Sequence, residues 1–280
     1  MDTQLASYFT HALNIPSLGF EAQCATLICL ILCANVGIAD IRNHLQANTN
    51  SPNATDAYGR TALIHTCASR RPNSDQVSII HWLLAAGANV NHQDINGLTP
   101  LATLLQKPNA RINIEAVRVL LAAGADPNIC DINGISPLML AVRSSDIKQR
   151  IELAQILINA KANLNHHSQS GIDVLGTAIL NYSPHGGLDL VAMLIKAGAN
   201  INYQETGSQS TALMWVALRS ELEFYVELAK LLIESGADVR LRDAYSRSAI
   251  TFTLPYYTPA QNQHTLAIRS MIEAKLKTYH

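Results

Sequence analysis

A chain of 280 residues with 48% hydrophobic residues has ample material for a buried core, and its length admits two ordinary domains. A net charge of −1 and a pI near 6.8 leave no global attraction to nucleic acid or to an anionic membrane, so both partner classes are set aside. Five cysteines, Cys24, Cys29, Cys33, Cys67 and Cys130, form an odd, unpatterned set, which makes no disulfide framework and points to a reducing, cytoplasmic compartment.

The N-terminal apolar run, residues 25–36, is shorter than the roughly 20 residues that span a bilayer. It also lacks the basic stretch of a signal peptide. Ser51-Pro52-Asn53-Ala54-Thr55-Asp56 parallels Asp126-Pro127-Asn128-Ile129-Cys130-Asp131, so 22–34 and 38–46 are expected to be the helices of a degenerate first repeat, preceded by a short capping helix near 5–13. Beyond it, a helix-opening position recurs at Thr61, Thr99, Ser136, Asp173, Thr211 and Ser248, in steps of 37 or 38 residues. A Gly-Ala turn keeps the same beat after Gly87, Gly124, Gly198 and Gly236, and Lys161-Ala162 fills the missing place. Self-similarity at this period indicates a solenoid of stacked helix pairs. Deleting one repeat in register should then leave the remainder folded.

Each element of the beat has a local cause. Thr or Ser caps the first helix, Pro at its first turn wastes no hydrogen bond, and Gly supplies positive φ. Between the paired helices lie Arg70–Asp75, Lys107–Arg111, Ser144–Asp146 and Asn181–Gly187, rich in turn-forming residues and expected to be longer loops that add at most part of a helical turn. At the C-terminal end Ser248 opens a sixth first helix, Leu254-Pro255 and Pro259 interrupt it, and 265–277 forms a last amphipathic helix.

Asp94-Ile95-Asn96-Gly97-Leu98-Thr99-Pro100-Leu101 and Asp131-Ile132-Asn133-Gly134-Ile135-Ser136-Pro137-Leu138 resemble the ankyrin signature, and the resemblance runs from about 56 to 243. It implies an all-α, ankyrin-type helical solenoid of about six or seven repeats with short β-hairpin-like turns and terminal caps. The expected division is 1–55 for the N-terminal cap and degenerate repeat, 56–242 for five repeats and 243–280 for the capping repeat. The family's usual His in the first helix is replaced by Ile64, Ala102, Met139, Gly176 and Met214, so no imidazole ladder is expected there.

Catalytic motifs are absent from the sequence: there is no phosphate loop, zinc-spaced Cys pair, His-Glu-x-x-His or Gly-x-Ser-x-Gly. The reading is a binding protein, neither enzyme nor cofactor carrier, with Cys29 and Cys33 buried in the core and His166-His167 on an exposed tip. The resemblance places a partner on a concave face lined by hairpin tips and first-helix ends. The tips carry Tyr58, Arg60, Ile95, Asn96, Leu98, Ile132, Asn133, Ile135, Tyr245 and Arg247. Leu98, Ile135 and Ile172 either join an exposed patch or pack hairpin on hairpin. The helix ends carry a basic series, Arg70, Arg71, Lys107, Arg143 and Arg219, which either steers a partner or merely complements helix dipoles. The partner expected of a monomer so built is a protein with an apolar segment flanked by acidic residues. Asn91 resembles a target of asparaginyl hydroxylation, or else braces its hairpin. With 21 Asn and 7 Lys, the composition resembles bacterial ankyrin effectors that act on host proteins; the alternatives are an adaptor that recruits a modifying enzyme such as a ubiquitin ligase, or a eukaryotic scaffold.

Overall fold

The computed structural model describes residue 31 and residues 52–69, 72–106, 112–144, 146–182, 187–258 and 262–279. The expected N-terminal cap and degenerate repeat therefore lie almost wholly outside the described residues, as do Arg70, Arg71 and Lys107. Two units are distinguished, Met1–Ile132 and Asn133–His280. The first contains α1 (Ala62–Ala68), α2 (Asn73–Ala85), α3 (Pro100–Leu105) and α4 (Ile114–Ala122). The second contains α5 (Pro137–Val142), α6 (Ile147–Asn159), α7 (Val174–Leu180), α8 (Gly187–Lys196), α9 (Ala212–Leu218), α10 (Phe224–Glu234), α11 (Ala249–Phe252) and α12 (Gln263–Lys277). Among the described residues the hairpins reach only isolated bridges, Thr55 with Thr61 and His167 with Asp173, so the fold is all-α.

First helices begin at the expected register. Thr61, Thr99, Ser136, Asp173 and Thr211 hold extended backbone, and each side-chain oxygen accepts the N–H three residues on, at Ile64, Ala102, Met139, Gly176 and Met214. Second helices share one closure. Ala88, Ala125, Ala162, Ala199 and Ala237 donate to Leu83, Leu120, Leu157, Leu194 and Leu232 at 2.9–3.0 Å, while the residue before each Ala donates to the carbonyl one place on from that Leu. These paired bonds form a Schellman closure, which requires positive φ ahead of the Ala. Four glycines and Lys161, at φ 69°, provide it.

In the first unit α1 lies beside α3 and α2 beside α4, closing over Leu63, Ile79, Ile80, Leu83, Leu101, Leu104 and Leu120, all fully buried. Each such side chain contributes about 1.5–3 kcal/mol of burial. A polar seam crosses this core: Gln76 donates to the carbonyls of Thr66 and Cys67, and Asn113 donates to Gln76 Oε1 at 3.1 Å. In the second unit α5, α7, α9 and α11 stand side by side, backed by α6, α8, α10 and α12. Gly176 admits the Trp215 ring, which would lie 2.6 Å from any Cβ there.

The inserts are more helical than expected. Asn73–Asp75 belongs to α2, and Asp146 caps α6, so those extra residues lengthen second helices to 13 residues each. At the C-terminal end α11 stops after four residues, and α12 packs on α10 and α9 with Thr265, Ile268 and Ile272 buried.

Candidate functional site

Three of the described hairpins begin with an aspartate two to four residues ahead of the N–H groups it satisfies. Asp56 Oδ1 accepts from Tyr58 and Arg60, Asp94 Oδ1 from Asn96 and Leu98, and Asp243 Oδ1 from Tyr245 and Arg247, all at 2.8–2.9 Å. Successive hairpins then join through the backbone. Ile95 donates to the Tyr58 carbonyl and Ile132 to that of Asn96 in the first unit, Gln169 to Asn133 and Ala244 to Ser208 in the second, at 2.8–3.0 Å. The approach is close enough that a Cβ on Gly97 would stand 2.9 Å from the Ile132 nitrogen.

Two side-chain ladders reinforce this row. Asn91 donates to the Gly124 carbonyl and accepts from the Asp126 N–H, spanning one repeat to the next, and Asn53, Asn165 and Asn202 do the same at their own levels. His92 and His166 donate to the carbonyls of Gly59 and Gly134, and the Tyr203 hydroxyl to Gly171. Imidazoles thus recur between hairpins rather than in the first helices, and His166 is half-buried while His167 is exposed. His65, one place beyond the expected position, is buried and meets Asp56 Oδ2 at 2.9 Å. Burial and the nearby Arg60 hold its pKa below the ordinary value despite that carboxylate.

With the tip backbones consumed by these bonds, the tip side chains divide into three groups. Ile95 and Ile132 stand 60% and 56% exposed beside exposed Asn96 and Asn133. Leu98, Ile135 and Ile172 are half-buried, part contact and part surface. Tyr58 and Tyr245 are exposed, but their arginines are engaged: Arg60 lies 4.8 Å over the Tyr58 ring and pairs with Asp56, and Arg247 lies 4.6 Å over Tyr245 and pairs with Asp243. The arginine hydrogen bonds bring both aspartates below the ordinary carboxylate range, outweighing their burial. Arg60 and Arg247 are therefore built into their hairpins.

The helix-end series is not one basic line. Arg143, exposed, ends seven residues after its cap; the same place in the next two repeats holds Leu180 and Leu218, 37% and 43% exposed. Arg219 falls one residue later, half-buried, with Nη1 sealed from solvent and without a hydrogen-bond partner. At that seventh place the second unit thus presents Leu180 and Leu218 against a single charge, Arg143.

Tip and helix end meet at one depression of the second unit, about 180 Å³ in volume. Ile135, Met139, Ile172 and Leu180 supply its apolar walls, and Arg143 stands at its margin. Ser168, Ser170, Thr177 and Asn181 complete the lining. Sequence reading supplied Ile135, Arg143 and Ile172 but missed Met139 and Leu180. Counting three and seven residues from each cap was the signal available. No cluster of three His, Cys, Asp or Glu suited to a metal occurs among the described residues, and no helix there is long and apolar enough to cross a membrane.

Known proteins carry the same pattern. The three-copy ankyrin repeat family matches residues 68–168 and 107–205, and the single ankyrin repeat matches 208–244. An ankyrin repeat domain from Acinetobacter baumannii AYE, solved by crystallography, is similar at 30% identity with a TM-score of 0.62, over 76% of this chain and 98% of that one. No curated protein matches. Since the repeat type spans more than half of the sequence and nearly all of that solved domain, the chain belongs to the ankyrin repeat family.

Proposed function

We propose that this chain captures a partner protein through the face made by its hairpin tips and first-helix ends, gripping an apolar segment flanked by acidic residues. Ankyrin repeats generally serve protein–protein interaction. The observation that carries the finer reading is the depression where Ile135, Ile172 and Leu180 face one another beside Arg143. An aliphatic side chain buried there would contribute about 1.5–3 kcal/mol, and a rim charge about 1 kcal/mol or less. Together these reach only about millimolar affinity. A micromolar complex needs further anchors, since a few large buried side chains dominate most interfaces. The Asn-rich, Lys-poor composition supports a bacterial effector whose partner is a host protein.

A peptide series with Leu between Asp and Glu residues, titrated by fluorescence anisotropy, tests the site. Ile172→Asp should weaken binding at least tenfold. Arg143→Glu should lower mainly the association rate and its salt dependence. Lys230→Glu, at an exposed position of α10, should change neither. Equal affinities for all four proteins would refute the site.

A further inference from the structure

Among the described residues, five of the six first helices open on a hydroxyl residue, Thr61, Thr99, Ser136, Thr211 or Ser248, and α7 alone of these six opens on a carboxylate, Asp173. Asp173 is 3% exposed. Its Oδ1 accepts from the Gly176 N–H at 2.7 Å, whereas Oδ2 is shut off from solvent and has no hydrogen-bond partner. A hydroxyl at this place needs only the cap bond and a rotatable proton; a carboxylate brings a second oxygen and a full charge. Burial of that charge raises the Asp173 pKa to about 6, prevailing over the Gly176 bond and the nearby His167.

The surroundings offer little compensation. His167 stands across the same hairpin, its backbone bridged to that of Asp173, and Tyr203, itself influenced by Glu205, approaches from the following one. Neither α5 nor α9 contains a charged residue; Arg143 and Arg219 follow their far ends. α8 carries Asp189 and Lys196.

We propose that the Asp173 cap is an acid-responsive element: on taking up a proton it fastens the hairpin 168–172 to the first turn of α7 instead of loosening it. The direction follows from linkage. The folded carboxyl binds its proton at higher pH than the unfolded one, so this group adds stability as pH falls through about 6 and adds no more once the unfolded group protonates near 3.8. Between pH 7 and 5 the gain is about tenfold in the local folding equilibrium. Ser168, Ser170, Ile172 and Thr177 also wall the depression, so the proton acts on that wall whether or not a partner binds there.

Amide hydrogen-exchange protection factors of Gly176 and Thr177 in the full chain, compared at pH 7 and 5 with Asp173→Thr, test the element. Protection in the native chain should rise about tenfold relative to the variant, and the variant should be the better protected of the two at pH 7. Parallel behaviour of the two proteins would overturn the proposal. If Asp173→Thr does not fold, carbon NMR of the native Asp173 carboxyl decides: a midpoint near 6 supports the element and one near 4 refutes it. His167→Gln should retain the response, and its loss there would assign the effect to His167 and also overturn the proposal.

Discussion

Ser246 shows how much a single backbone angle carries. It occupies φ 61° in the last hairpin, where Gly59 stands at φ 70° in the first, and the two hairpins otherwise share Asp-Ala-Tyr-x-Arg and the same arginine–tyrosine stacking. A side chain in the left-handed region costs roughly 1–2 kcal/mol, partly offset by the greater freedom of Gly in the unfolded chain. Ser246→Gly should therefore stabilise the protein by about 0.5–1 kcal/mol, read as a higher denaturant midpoint with unchanged slope. A lower midpoint would mean that the serine makes up for its strain elsewhere. At this scale the caps and turn glycines were legible because their causes lie within four residues. Asn91 was less so: the sequence offered it either for modification or as a brace of its own hairpin, and its amide bridges to Gly124 and Asp126 of the next repeat. That partnership spans more than thirty residues and leaves no local mark.

The hairpins and first helices decide what the surface can offer. Ile95 and Ile132 donate their backbone N–H groups to neighbouring hairpins, while their side chains remain mostly in solvent. Changing both side chains to Asp leaves the backbone bonds untouched. Ile95→Asp with Ile132→Asp should shift stability by no more than about 0.5 kcal/mol yet abolish capture of the partner, as monitored by thermal unfolding alongside a binding assay. Unfolding of the double variant would show that the side chains are core, and normal binding would move the partner off the tips. The period alone identified which residues sit on tips, but it misaligned the helix ends. Arg143 and Arg219 differ by one residue in register, about 100° around a helix, which separates an exposed head from a half-buried one.

For the molecule as a whole, repetition makes each repeat nearly interchangeable, and the exception is informative. Removing residues 173–210 in register would set α5 beside α9 and bring Met139 to the place of Gly176, against the Trp215 ring. Overpacking of this kind costs about 1–3 kcal/mol. The shortened chain should therefore recover that amount when Met139→Gly is added, measured by equilibrium unfolding, and equal stability with and without the second change would contradict the packing. The sequence by itself determined the repeat, the caps, the closures and the family resemblance, because hydrogen bonds within a turn of helix or a hairpin are dictated by neighbours along the chain. Only the tertiary structure decided that Arg60 and Arg247 belong to their own hairpins, that Leu180 stands beside Ile135 and Ile172, and that Asp173 is sealed with one oxygen unmatched. Those outcomes depend on how far adjacent repeats close over each side chain, and closure is set by contacts between residues about 37 positions apart, which local spacing does not encode.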